Sequence, residues 1–270
     1  TLWGTSPISF AVGVEHRREK SSEDFDLDTN LGTTLGNNIT DTFGKYNVTE
    51  GFLEVVAPIV QERPFFHYFG IEGAARYADY STVGGVWSWK VGAEWAPVRD
   101  IRFRGVYAEA TRAPNISELF SANSETFPAV IDPCDQRAGE GDGAPIAIPA
   151  SALPAACLAI PAIAAAAQGG GFTYSTAQIQ TINGFLGGNP NLREETSQTI
   201  TLGAVATPSF IRNLSLTVDY YRIKVKNAIG IIGQQTSLDE CYGDGGSGLD
   251  LFCDNITRTA DGRVRRIDAI

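Results

Sequence analysis

From Val86 to Trp95 the chain alternates with a period of two: Trp87, Trp89, Val91, Ala93 and Trp95 share one parity, and Ser88, Lys90, Gly92 and Glu94 the other. Successive side chains of a β-strand point to opposite faces, so the segment has one apolar side and one polar side. The pattern returns along the chain. Ile8, Phe10, Val12 and Val14 alternate with Ser9, Ala11, Gly13, Glu15 and Arg17. Leu53, Val55, Ala57 and Ile59 alternate with Phe52, Glu54, Val56 and Pro58. Phe65, Phe69, Ile71, Ala75 and Tyr77 alternate with Tyr68, Gly70, Glu72, Ala74 and Arg76. Ile200, Leu202, Ala204 and Ala206 continue the series, followed by Leu214, Leu216, Val218 and Tyr220.

A soluble sandwich also buries one face of each sheet. Three features favour a membrane barrel instead. The segments run to about 10 residues or more, the length of a tilted strand crossing a bilayer. Aromatic residues gather near segment ends, as in interfacial girdles: Trp87 and Trp89 at one end and Trp95 at the other. Gly and Ala occupy both faces, where a sandwich core would use bulkier residues. A composition with 43% hydrophobic and 19% charged residues excludes global disorder, and 29 glycines with 13 prolines suit a chain of many turns. No stretch reads as a transmembrane helix. Ala144 to Ala167 comes nearest, but Pro145, Pro149, Pro154 and Pro161 interrupt it, so it reads as an Ala/Pro loop with one short helical turn.

The links between segments fall into two kinds. Gln61 to Pro64, Ala96 to Asp100 and Thr207 to Asn213 are short turns; Arg18 to Tyr46, Asp79 to Gly85, Ala113 to Glu195 and Asn227 to Arg258 are longer. Short turns at one rim and long loops at the other mark an outer-membrane barrel, here of about eight strands from Ile8 to Arg263. Four cysteines allow three connectivities. Local pairing, Cys134 with Cys157 and Cys241 with Cys253, is favoured because each pair lies inside one loop-like segment. Disulfides there imply an oxidising, extracellular rim; four reduced, unrelated cysteines are the alternative. Within the largest loop, Ser175 to Gly184 reads as a capped helix, with Ser175 accepting at its start and Gly184 left-handed at its end. It would either lid the barrel mouth or, as favoured here, pack the loop.

A net charge of −10 without a basic stripe argues against nucleic-acid binding. His16 reads as a solvated rim residue and His67 as an interfacial side chain. No metal or cofactor pattern and no nucleophile with a placed base appears, so an enzyme is not expected. The polar parity carries Glu54, Glu72, Arg76, Lys90, Glu94, Arg102 and Arg104, which would line a lumen. The guanidinium groups of Arg102 and Arg104, on one face beside a short turn, could hold a carboxylate or phosphate.

Three segments resemble the TonB-dependent receptor family. Thr111, Arg112, Ala113 and Pro114, running on to Phe120, look like the exit of a strand at the outer rim. Asn189, Pro190, Asn191 and Leu192, within Gly188 to Ser197, look like the entry to the next descending strand. Asp219 to Ile229 resembles the rising strand after it. The likeness extends from Phe10 to Ile267, with one departure: Glu194 stands where the family usually has proline. It implies a barrel of roughly 22 strands closed by a plug, in which this chain forms part of the C-terminal wall with 113–195 as an extracellular loop. It further implies a home in the bacterial outer membrane, contact with outer-membrane lipid, and energised uptake of a ferric siderophore or oligosaccharide. TonB–ExbB–ExbD would act through a plug that is not found in this sequence, and no cofactor is implied. The lumen residues would then chiefly contact that plug. A passive porin and a secreted carbohydrate-binding β-protein are the alternatives. As an isolated piece, such a sheet would expose its edges and self-associate.

Overall fold

The computed structural model describes residues 6–137, 146 and 148–269. It contains two compact units. The first carries Gly44–Leu119 and Asn189–Ile229 with the segment up to Ser21; the second carries Ser22–Phe43, Phe120–Gly188 and Gly230–Ile270. In chain order the strands are β1 (Ser9–Glu23), β2 (Thr42–Arg63), β3 (Phe66–Tyr80), β4 (Gly84–Val98), β5 (Ile101–Arg112), β6 (Ser124–Thr126), β7 (Gly184–Leu186), β8 (Glu195–Ala206), β9 (Leu216–Lys226), β10 (Ile256–Arg258) and β11 (Val264–Ile267). The helices are α1 (Leu27–Leu31), α2 (Ile116–Phe120), α3 (Ala155–Leu158), α4 (Pro161–Gly169), α5 (Thr176–Gln180), α6 (Gln234–Tyr242) and α7 (Asp250–Cys253).

The first unit is one sheet of seven strands, ordered β1-β2-β3-β4-β5-β8-β9. The ladders from β2 to β9 are antiparallel. The sheet is open, with β1 and β9 as its edges, and has the form of a β-barrel wall segment. Its register keeps the two parities apart. Leu53, Ala75, Trp89, Glu109, Gln198 and Lys224 form one row across six strands, and Glu54, Ala74, Lys90, Ala108, Thr199 and Ile223 the row beside it. A one-residue slip would exchange the faces wholesale.

The apolar face is exposed through Leu53, Ile71, Val91, Leu202 and Val218. Aromatic contacts bound it in two belts. Near the short turns, Trp95 lies 5.7 Å from Phe103 and 6.1 Å from Phe66. At the other end Tyr77 meets Trp87 at 5.0 Å and Trp89 meets Tyr107 at 5.4 Å. Among the described residues no helix is long and apolar enough to cross a membrane.

Several expectations need correction. The seven-stranded sheet ends at β9; Val264–Ile267 pairs instead with Ile256–Arg258 in the second unit, so the eighth strand is not part of the wall. The links are not strictly sorted by length. Tyr80 pairs with Gly84, leaving only Ser81, Thr82 and Val83 as a turn, which Gly84 closes with a left-handed φ of 77°. The alternation breaks at Ile59: Pro58 has no N–H to donate, and a bulge puts Val60 opposite Phe69. The Ala/Pro segment is folded rather than a loop. Pro149 and Pro154 cap a 3-10 turn and α3, and Pro161 opens α4, positions where a missing N–H costs nothing. Ala144, Pro145 and Ala147 lie outside the described residues.

The second unit has its own core. Val130, Leu153, Ile163, Phe172, Tyr174, Ile182, Leu238, Val264 and Ile267 are buried together with both sulfurs of Cys134–Cys157. Cys241–Cys253 joins α6 to α7, so both cysteine pairs are local. Ser175 caps α5 in a capping box with Gln178, as its position suggested. Gly184 does not end that helix; Thr181 does. Gly184 instead begins β7, where an added Cβ would overlap the carbonyl of Ile267. Ile179 and Ile182 pack into the core of this unit, which is the packing role expected for α5.

A buried charge sits beside that core. Asp132 and Arg258 form an ion pair at 2.6 Å, and Tyr174 donates to Asp132 at 2.5 Å while accepting from the Val264 N–H at 2.8 Å. Arg258 also lies 4.1 Å from the centre of the Tyr242 ring. Burial, then Asp132, pushes the Tyr174 hydroxyl well above its ordinary range. A buried pair of this kind contributes little net stability, but removing one partner strands the other.

Candidate functional site

The polar face of the sheet carries charges in ordered pairs. Arg76 on β3 pairs with Glu50 on β2. Lys90 on β4 stands 3.6 Å from Glu72 on β3, and Arg102 on β5 lies 3.3 Å from Glu94 on β4. Each of these cations reaches back one strand. Arg104 reaches forward instead, over β8, and donates to both carboxylate oxygens of Asp219 on β9 at 2.8 Å. Arg102 and Arg104 are therefore not poised around one shared anion: each has its own carboxylate. Glu54 alone of the seven residues singled out on this face enters no ion pair among the described residues. It borders a shallow depression of about 500 Å³ with Phe52, Ala74, Arg76, Lys90 and Ala108.

Glu50 is buried, but the other members of these pairs are partly or substantially exposed, so the pairs Lys90–Glu72, Arg102–Glu94 and Arg104–Asp219 contribute roughly 0–1 kcal/mol each. Their effect is geometric. They hold alternating charge at fixed positions along the polar face of the wall.

At the end of the sheet opposite the short turns, the three sequence motifs converge. Arg112 ends β5 and donates to Glu195, which begins β8, at 2.6 Å; it also grips both oxygens of Glu118 on α2, at 2.9 and 3.0 Å. The Ile229 N–H donates to Glu195 at 2.6 Å, which brings in the third motif. Asn115 and Glu118 cap each other reciprocally at 2.8 Å, and Pro114 beside them is buried. Arg112, followed by this N–H bond from Asn115, holds the Glu118 carboxyl below the usual carboxylate range despite partial burial. Asn189, Pro190, Asn191 and Leu192 form a β-turn closed by Leu192 N–H to Asn189 O at 3.3 Å, with proline at the position that favours its fixed φ. The Asn189 side chain accepts from Asn191 at 2.9 Å, and its own N–H donates to Glu118 O at 2.8 Å. Thr111 bonds Ser88 at 2.7 Å.

Glu118 and Glu195 are the residues that sequence reasoning passed over. Both stand inside quoted motifs, and an arginine followed by glutamate six positions later was the available signal. His67 lies 3.2 Å from Glu62 beside the β2–β3 turn, whereas His16 stands midway along β1 rather than at a strand end and bonds Thr49 on β2 at 2.9 Å.

Residues 1–268 match the family model described as TonB dependent receptor-like, beta-barrel. A search of the curated proteins found no match. Among solved structures, the chain is similar to the siderophore receptor PirA from Acinetobacter baumannii at 14% identity and a TM-score of 0.49, covering 98% of this chain and 30% of that one. The siderophore receptor PirA from Pseudomonas aeruginosa gives 16% and 0.46, covering 97% and 33%. A mutant of the ferric enterobactin receptor PfeA from Pseudomonas aeruginosa gives 16% and 0.44, covering 70% and 19%. The chain thus spans a third or less of the length of these receptors.

Proposed function

Since the chain belongs to the TonB-dependent receptor-like β-barrel family, we propose that it is part of the wall and outer-rim loops of a bacterial outer-membrane transporter for a scarce or bulky nutrient. The nutrient is of the ferric siderophore or oligosaccharide class. The observation that carries this reading is the match over 1–268, joined to a sheet whose exposed apolar face lies between two aromatic belts. A lipid-facing wall needs that arrangement. Its work is recognition and gating rather than bond making.

On this reading the polar face meets a plug supplied elsewhere in the whole protein, through which TonB–ExbB–ExbD would act. Glu54, which enters no ion pair among the described residues, offers the plug an acceptor, and the paired charges offer it a fixed pattern. Neighbouring strands of the whole barrel cover the edges at β1 and β9. Residues 113–195 form an extracellular loop that takes part in binding the nutrient, and its disulfide suits an oxidising exterior.

The test is fractionation of the full-length protein with an unboiled gel, followed by growth on ferric siderophores or oligosaccharides as sole source. Outer-membrane recovery, a heat-shifted band and TonB-dependent growth are expected. A soluble protein with no heat shift would overturn the reading.

A further inference from the structure

The face of the wall that carries the ion pairs is not charged throughout. Between the row of Arg104 and Asp219 and the row of Arg112 and Glu195, this face has three rows without a charged residue on β5, β8 or β9. Thr201 stands level with Tyr221, Thr199 with Ile223 and Ser197 with Val225. On β5 the same rows hold only valine or alanine. By strand geometry the field measures about 14 by 10 Å. The three β9 residues are exposed and the three β8 residues half-buried. A strand added beside β9 would extend the sheet sideways and leave this face open. Among the described residues, the side-chain hydroxyls of Ser197, Thr199, Thr201 and Tyr221 make no hydrogen bond. On β2 to β4 the same face is charged, with Glu54 and the pairs Arg76–Glu50 and Lys90–Glu72.

An ionic chelate drawn along this field would shed water against a surface with no opposite charge to replace it. A neutral polyol loses less. Each hydroxyl of the wall can both donate and accept, so it can take over the hydrogen bonds that a sugar gives up to water. An exposed tyrosine ring adds an apolar surface with a polar tip, which suits the C–H face of a sugar ring and its hydroxyl rim. We propose that this uncharged field is a lane for a neutral oligosaccharide in transit, with Thr199 and Thr201 bonding its hydroxyls and Tyr221 taking the face of a sugar ring. The proposal rests on the transporter reading above and selects one of its two nutrient classes. The charged sector on β2 to β4 is left to the plug.

The experiment uses the full-length receptor in cells and follows uptake of radiolabelled probes. These are maltohexaose, xylohexaose and triacetylchitotriose as neutral sugars, and an anionic ferric catecholate as the charged counterpart. Wild type is expected to take up at least one of the sugars in a TonB-dependent manner. Tyr221→Ala should slow that uptake about tenfold, and Thr199→Val with Thr201→Val about threefold, while the amount bound at the cell surface stays unchanged. Tyr221→Phe, which keeps the ring, should retain most of the uptake. The heat-shifted band identifies variants that have folded; should Tyr221→Ala lack it, the threonine pair is read in its place. Wild-type uptake of the catecholate alone, or of none of the sugars, overturns the proposal. So does a folded variant that takes up the sugar at the wild-type rate; if such a variant also admits vancomycin, the field is a seat for the plug instead. A soluble protein with no heat-shifted band would sink the transporter reading itself, so the two failures are distinguishable.

Discussion

Arg104 and Asp219 form a two-pronged ion pair across an intervening strand, because the residue between them on β8 is Gly203. A Cβ there would press on the Asp219 carboxylate and stand 2.7 Å from Arg104 Nε. Gly203→Ala is therefore expected to part the pair and strain the β5–β8–β9 ladder, at about 1–3 kcal/mol. Arg104→Gln should cost less, because an exposed pair contributes little by itself. The temperature at which the folded gel band converts to the unfolded one ranks the two. Equal conversion temperatures for Gly203→Ala and wild type would refute this account of the glycine.

Arg112→Ala should loosen all three motifs together. Glu118 loses its clamp and Glu195 keeps only the Ile229 N–H. The local cost is about 1 kcal/mol, after allowance for partial exposure. Faster hydrogen exchange is expected over 113–120 and 227–229, with the centre of the sheet unchanged. Arg112→Lys should recover little, because one ammonium cannot serve both carboxylates with the same fork of donors.

The same knot has a pH signature. Glu118 has a folded pKa below its ordinary value of 4.5, with Arg112 as the largest cause. Its contribution is thus present above about pH 4.5 and is lost as the pH falls from there through the folded value. Protease cleavage within 113–120 should rise on acidification below that point. In Glu118→Gln the cleavage should be higher at neutral pH and lack this component of the acid response.

Cys134–Cys157 closes a loop with a sequence separation of 23. Breaking it with a Cys134→Ser, Cys157→Ser pair is expected to cost the second unit about 3 kcal/mol. Limited proteolysis should then cut within 120–188 while the heat-shifted gel band persists. Loss of that band would show that the sheet depends on the disulfide after all.

Tyr174→Phe removes one hydroxyl with two partners, Asp132 and the Val264 N–H. Both are buried, so the expected cost is about 1–3 kcal/mol. The loss should appear as faster exchange of the Val264 amide. An unchanged amide would mean that water replaces the hydroxyl.

The wall was legible in the sequence because its signal is local. Trp87 to Trp95 alternate visibly whether or not the neighbouring strand is known, and the register then follows from which parity is apolar. The second unit was not legible. Phe172, Leu238 and Ile267 share a core, yet they come from separate segments with no common period. The prolines at 149, 154 and 161 looked like breakers because sequence alone does not reveal that they begin helices. The seven charged wall residues were found by parity, but their partners required cross-strand register. Gly203 carries no hint of its importance until Arg104 and Asp219 are seen on either side.

Arg112 and Glu195 are direct partners at the last rung between β5 and β8. In connectivity, then, everything from 113 to 194 is the tip of a hairpin, however much structure it contains. The two strands register with each other up to the neck without a break. A different insert, supplied with the same arginine and glutamates at its base, could be exchanged at this point as a cassette without shifting the register of β5 against β8.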